Sequence, residues 1–348
     1  MYRKFLFLIN LFALYLGIII SNQAYAFFSD EQDSCCIEQL DYCCEPQPCS
    51  WHFKKELLWW TADEDGLEFA TRHSDVLTTN DFRTKHLHDP DFHWEYGFRL
   101  QGGYTPACSL WTFSLSWANI TNKATGTLSG NSGAPDFEGI FPIWSMSPNT
   151  LIGDYTSTAK LHWHLTTNII DLDAEYGNFC FWNRLNLVPQ VGLRCAILHQ
   201  KLRVKYEGGT FFSGVDDNVM RNRFIGFGPR FGGSGSYYLF KGISLQGLIA
   251  GTPMYGHFYT SHREFYLENK QFTDSHTLNR FVMSFDYKIG VQWQGKTLDC
   301  WPDVILAAGW EGHTFYRQNQ MERGDYGFFK KDRDLTLEGW TFSASFCF

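Results

Sequence analysis

The last twelve residues, 337–348, read LEGWTFSASFCF, and their alternation decides the fold. Trp340, Phe342, Ala344, Phe346 and Phe348 take every second position, with Thr341, Ser343, Ser345 and Cys347 between them. A β-strand sends alternate side chains to opposite faces, so the segment has one aromatic face and one small, polar face. What the aromatic face touches fixes the rest.

The pattern recurs upstream. In DFHWEYGFRLQGGY (91–104), Phe92, Trp94, Tyr96, Phe98, Leu100 and Tyr104 share one parity, opposite His93, Glu95, Arg99 and Gln101. In RFVMSFDYKIGVQW (280–293), seven apolar residues from Phe281 to Trp293 oppose Arg280, Ser284, Asp286, Lys288 and Gln292. Shorter ladders run Trp111–Trp117, Leu161–Leu165 and Leu185–Ile197. A soluble sandwich also alternates, but its aromatic face fills a thin core. Strands that end in Trp or Tyr fit the interfacial girdles of a bilayer better, because those rings prefer the headgroup level.

Composition and targeting agree. Arg3 and Lys4 precede the apolar run FLFLINLFALYLGIII (5–20), and Ala24-Tyr25-Ala26 has the small-x-small pattern of a signal-peptidase site. This predicts a signal peptide over 1–26, a cysteine-rich periplasmic segment over 27–50 and a barrel over 51–348. The apolar run is short for a spanning helix, which disfavours a retained anchor. The chain is 18% aromatic and has 31 glycines, yet its mean hydropathy is −0.27. Beyond the leader, no apolar run is long enough for a membrane helix, so a helical membrane protein is excluded. A formal charge of −8 favours neither nucleic acid nor an anionic membrane surface as partner.

Long polar segments near 71–91, 120–156, 208–221, 253–278 and 318–333 alternate with short breaks: TPACS (105–109), YGNFCF (176–181), GGSGS (232–236) and GKTLDCWP (295–302). Outer loops and periplasmic turns alternate in this way, which gives ten strands. The ladder over 157–176 changes parity near Asn168, as a bulge or an unrecognised turn would require, and 120–156 has room for a further hairpin. The expected fold is all-β, a transmembrane antiparallel barrel of even strand number, ten to fourteen, in the bacterial cell outer membrane. Phe348 is similar to the recognition signal of the outer-membrane assembly machinery.

LLWWTADEDGLEFA (57–70), NIIDLDAEYG (168–177), LNLVPQVGLRCAILHQ (185–200) and the closing LTLEGWTFSASFCF (335–348) resemble segments of the Legionella and chlamydia-like major outer membrane proteins. The resemblance implies a pore-forming barrel for small solutes, often with cysteines that cross-link the envelope.

Ten cysteines in an exported chain predict disulfides. Cys35, Cys36, Cys43, Cys44 and Cys49 precede the first strand, Cys108, Cys180 and Cys300 fall at short turns, and Cys347 lies beside the last residue. These positions share the periplasmic end on the expected topology, and Cys195 alone sits within a strand. Bonds within the chain and bonds to neighbouring envelope proteins both remain open. A zinc site is disfavoured because adjacent cysteines seldom converge on one ion and an oxidising compartment removes thiolates.

Catalytic chemistry is not evident. His162 and His164 share a face, read here as inward-facing barrel residues, and His86 with His88 is a weak signal in an outer loop. Asp171, Asp173 and Glu175 form an acidic ladder of the kind that lines a wet lumen. No hydrolase elbow, HExxH or Walker A pattern occurs. No catalytic residue, metal or cofactor is assigned, and the chain is not expected to be an enzyme.

Glu95, Arg99, Arg194, Asp286 and Lys288 are the expected pore-lining residues, with mixed charge that favours small polar solutes or ions. The first functional expectation is thus a porin-like channel that also stiffens the envelope through disulfides. Eight strands leave room only for side chains, whereas sixteen to eighteen enclose a channel, so ten strands would conduct poorly. The alternative is a cysteine-cross-linked structural or surface barrel with little conductance.

Overall fold

The computed structural model describes residues 51–74, 86–106, 109–130, 138–145, 155–177, 179–181, 184–211, 214–267, 269–295, 303–321 and 333–347. The expected leader, the cysteine-rich segment and Phe348 lie outside the described residues.

Ten long strands follow one another: β1 (Trp51–Glu64), β2 (Glu95–Tyr104), β3 (Trp111–Ser129), β4 (Thr158–Tyr176), β5 (Leu185–Glu207), β6 (Val215–Phe240), β7 (Ile243–Tyr266), β8 (Asn269–Gly295), β9 (Asp303–Asn319) and β10 (Arg333–Cys347). Each pairs antiparallel with its sequence neighbours. β10 returns to pair with β1 from His52↔Cys347 to Glu64↔Leu335. The sheet therefore closes on itself, which is the only way for strands to cross hydrocarbon with their backbone groups paired. Two short strands, Asp91–Phe92 and Phe179–Phe181, extend this sheet, and Ala70–Ser74, His86–His88 and Glu138–Pro142 form a separate small one.

β4 explains the parity change near Asn168. Its pairing with β3 and β5 runs without a register shift from Thr158 to Tyr176, so neither a bulge nor a turn is present. One face carries Lys160, His162, His164, Thr166 and Asn168 and then Ile170, Leu172, Ala174 and Tyr176. The other carries the buried Leu161, Trp163 and Leu165 and then Asp171, Asp173 and Glu175. The outward face turns from polar to apolar while the inward face does the reverse. The physical cause is a change of solvent: hydrocarbon surrounds the lower part of the strand and water the upper part.

Neighbouring strands switch at the same level. Asn168 lies between Asn119 and Ile197, and beyond it the outward residues become Thr121 and Lys123 on β3 and His199, Lys201 and Arg203 on β5. On β6 the switch falls between Ile225 and Arg223, and on β7 between Tyr255 and His257. Below the line, exposed rings and aliphatics such as Phe281 (72% exposed) and Ile249 (61%) cover the outside. Above it, the interior is an ordinary apolar core that includes Trp60, Trp163, Leu198, Tyr206, Phe224 and Phe258. Trp144 and Phe69, from the connections at that end, join the core; Trp144 Nε1 donates to the Glu68 carbonyl at 2.9 Å and Tyr206 Oη to that of Phe69 at 2.7 Å.

The inversion corrects three expectations about connections. The second half of 208–221 and nearly all of 253–278 are strand, since β6 begins at Val215 and the β7–β8 hairpin runs through Tyr266 and from Asn269, and 120–129 at the start of the expected 120–156 loop belongs to β3. With 26 residues in β6, far more than the roughly 9–11 that cross a bilayer, these strands stand well clear of the lipid. GGSGS is likewise inside β6, and the chain reverses at Lys241-Gly242. Both residues there have positive φ, 47° and 78°, as a two-residue hairpin turn of matching twist requires.

A charge on the lipid face should be far more disruptive below the line than above it. Val191→Lys is expected to lose about 2–4 kcal/mol and His199→Lys, higher on the same face of β5, at most about 1 kcal/mol, measured by denaturant unfolding from lipid bilayers. Equal losses would contradict the assigned boundary.

Candidate functional site

At membrane height the inward faces bring charged side chains together across the lumen. Arg194 on β5 donates from Nε and Nη2 to Asp171 Oδ1 and Oδ2 on β4, each at 2.7 Å, and from Nη1 to Asp286 Oδ1 on β8, also at 2.7 Å. Arg230 on β6 reaches Asp173 Oδ2 at 2.8 Å and Asp286 Oδ2 at 3.3 Å. A planar guanidinium suits this role because its fixed fork serves two carboxylates at once.

A second group occupies the facing wall. Arg99 on β2 donates from Nη2 to Glu311 Oε1 on β9 at 2.7 Å and from Nη1 to Glu56 on β1. Lys288 Nζ on β8 reaches Glu56 Oε1 at 2.9 Å. His313 joins the two groups: its Nδ1 lies 2.8 Å from Asp286 Oδ1 and its Nε2 3.0 Å from Glu311 Oε1. Seven barrel strands from β4 round to β2 contribute to this single layer, although β7 and β10 add no charge to it. Trp60 Nε1 donates to Thr341 Oγ1 at 3.1 Å, and that hydroxyl donates to Glu311 Oε2 at 3.0 Å, so the layer is tied to the apolar core above.

Below the layer lies a cavity of about 290 Å³. Its lower walls include Asn186, Gln190, Ser234, Gln246 and Gln292, and the ion pairs form its roof. Lys54 and Glu175 add charge to these polar walls, which suit water. The lumen thus has three levels from the periplasmic end upward: a wet chamber, a layer of paired charges and a dry core.

The protruding half also buries polar groups. Burial pushes the Glu64 carboxyl up to about 8, although Gln200 Nε2 donates to both of its oxygens at 3.0 Å. Burial and the neighbouring Glu264 carboxylate raise Asp216 to about 7. Near neutral pH Glu64 is therefore mostly protonated and Asp216 partly so, which lessens the charge buried in the core.

Of the residues expected to line a pore, Arg99, Arg194, Asp286 and Lys288 meet in the charged layer. Glu95 does not; it lies at the top of β2 and pairs with the exposed Lys123 at 3.2 Å. Glu56, Arg230, Glu311 and His313 escaped the sequence reading, although each alternates with lipid-facing residues such as Leu57, Phe231 and Trp310. His162 and His164 face outward and are exposed, a correction to the inward reading that follows from the unbroken register of β4. Cys347, opposite His52 on β1, and Cys180, opposite Asn186 on β5, stand at the periplasmic end. Cys35, Cys36, Cys43, Cys44, Cys49, Cys108 and Cys300 lie outside the described residues.

A family model described as the Legionella pneumophila major outer membrane protein precursor matches residues 44–348. The chain belongs to this family, and the bacterial outer membrane is its location. No curated protein matches it. Among solved structures it is similar to the outer membrane protease OmpT of Escherichia coli, with 13% identity over 89% of this chain and 99% of that one and a TM-score of 0.42. It is also similar to the toluene transporter TodX of P. putida (11% identity, 86% and 91% covered, TM-score 0.31) and to Ail, the attachment invasion locus protein of Yersinia pestis (12%, 86% and 99%, 0.22).

Removing one member of a buried charge network leaves the remaining charges unbalanced. Asp286→Asn removes the carboxylate shared by Arg194, Arg230 and His313, leaving the two guanidiniums only Asp171 and Asp173 and the layer one buried negative charge short. It is expected to lower the unfolding free energy by about 3–5 kcal/mol in detergent or bilayer. A change within about 0.5 kcal/mol would mean that water already solvates the layer.

Proposed function

We propose that this family member is a closed outer-membrane barrel that serves as a structural and surface-presenting protein of the envelope, with little passive conductance. The observation that carries the reading is the charged layer beneath an apolar core. An ion entering the lumen would have to displace guanidinium–carboxylate pairs at 2.7 Å and then pass Trp60, Phe224 and Phe258, all fully buried. Hydrophobic constriction and neutralised walls both oppose ion flow. On this reading the protein is not an enzyme, and the carboxylates of the charged layer serve to hold its cations.

The second reading is the porin-like channel for small polar solutes or ions. The wet periplasmic chamber and mixed-charge walls favour it, and it requires the charged layer and the core above it to rearrange. Planar-bilayer recording of the refolded protein separates the two. Steady current at baseline is expected; reproducible single-channel steps in the unmodified protein would sink the closed-barrel reading and favour the channel.

Cross-linking through the cysteine-rich segment fits the structural role, since Cys180 and Cys347 stand at the periplasmic end. Envelopes run without reductant are then expected to show high-mass species that collapse to monomer on reduction. A monomer band alone would remove the links between chains.

A further inference from the structure

The outward surface above the lipid line is not uniformly polar. On β5 and β6, His199 faces Arg223, and one step higher Lys201 faces Arg221. Lys201 is also opposite His164 of β4, and His164 is opposite Lys123 of β3. Higher still, Arg203 is held by Asp217 at 2.8 Å. Lys201, Arg221 and Arg223 make no ion pair among the described residues. Across the barrel, the corresponding outward positions of β1 and β10 carry Asp63, Asp334 and Glu338 instead. A chain of formal charge −8 thus gathers uncompensated cations on one side of its exposed wall.

Their height selects the partner. Arg223 is two residues above the lipid-facing Ile225, and His199 two above Ile197, so the cationic row begins roughly 6–7 Å beyond the last apolar side chain. A hydrocarbon core of about 30 Å within a bilayer of about 40–45 Å leaves roughly 5–7 Å of headgroup in each leaflet. Arg223 stands in that layer, and Lys201 and Arg221, one step higher on tilted strands, reach down to it with their long side chains. In the outer leaflet of a bacterial outer membrane this layer holds phosphorylated glycolipid. Arginine offers bidentate hydrogen bonds to phosphate and lysine a mobile point charge, and adjacent strands set these groups about 5 Å apart.

We propose that the outward faces of β5 and β6, through Arg221, Arg223 and Lys201, bind the phosphate groups of the outer-leaflet glycolipid. A soluble anionic polysaccharide would find the same charges but has no reason to require them at the lipid boundary. The mild acidity of the whole chain, which argues against anionic surfaces, conceals this side because the acids near it, Asp217 and Glu207, are taken by Arg203 and Lys160 and the others lie elsewhere.

The test uses the full chain refolded in neutral detergent and titrated with a bisphosphorylated acylated diglucosamine, followed by intrinsic fluorescence and by thermal stability. Binding that weakens with salt and is lost with the dephosphorylated glycolipid is expected. K201Q/R221Q/R223Q is expected to bind about ten-fold or more weakly, the loss of at least one charge-assisted contact, while D63N binds as the unmodified chain does. Folding of each variant is checked by heat-modified electrophoretic mobility; should the triple variant not fold, R223Q alone is expected to bind about two- to three-fold more weakly, a fraction of one such contact. Equal binding by the folded variants, or of the dephosphorylated glycolipid, overturns the proposal. So does tighter binding of a soluble sulfated polysaccharide than of the glycolipid.

Discussion

The constraint on which the structure depends is that the solvent outside each strand changes partway along it. In hydrocarbon an exposed ring is stabilising and a charge costs several kcal/mol, whereas in water the preference reverses. A strand that crosses both must exchange its apolar and polar faces at the boundary without altering its pairing. β4 does so at Asn168, and β5, β6 and β7 follow at matching height. The long strands, the buried upper core and the polar outer wall are consequences of that exchange.

Inside, the same rule produces the charged layer. Where the outside is lipid, the inward face must take the polar residues, and in a ten-strand ring those residues are close enough to bond one another. Arg194, Arg230 and Arg99 meet their carboxylates directly, and His313 joins the two groups. Such pairs are a modest source of stability, because desolvation offsets much of the Coulomb attraction. Their larger effect is geometric: long-range partners fix which strands face one another across the lumen, and they fill space that a wider ring would leave to water.

Much of this was legible in the sequence. Alternation, aromatic termini of strands and the spacing of breaks point to an even ring of ten to fourteen strands, and residue parity places Arg99, Arg194, Asp286 and Lys288 inside, although it also includes Glu95, which pairs with the exposed Lys123. The parity change near Asn168 is visible too, but with one outer solvent assumed for the whole strand it reads as a bulge or a turn. The same assumption made polar strands at 208–221 and 253–278 look like loops. GGSGS resembles a turn by composition, yet the reversal sits at Lys241-Gly242, because the turn is set by positive φ at two successive residues rather than by glycine content. The pairing inside the lumen could not be read at all: Glu56 and Lys288 are 232 residues apart, and only closure of the barrel brings them together.

The central claim is the exchange of faces along an unbroken strand. It is tested most directly by nitroxide labels at consecutive positions from 160 to 176 in the bilayer-embedded protein, read for collision with oxygen and with a water-soluble nickel chelate. Labels at 170, 172 and 174 should meet oxygen and exclude the chelate, and labels at 160, 162 and 164 should show high chelate access at the same parity. A shift of the exposed parity near Asn168 would instead establish a bulge. Oxygen-rich, chelate-poor signals at all even positions would contradict the account by placing the whole strand in lipid.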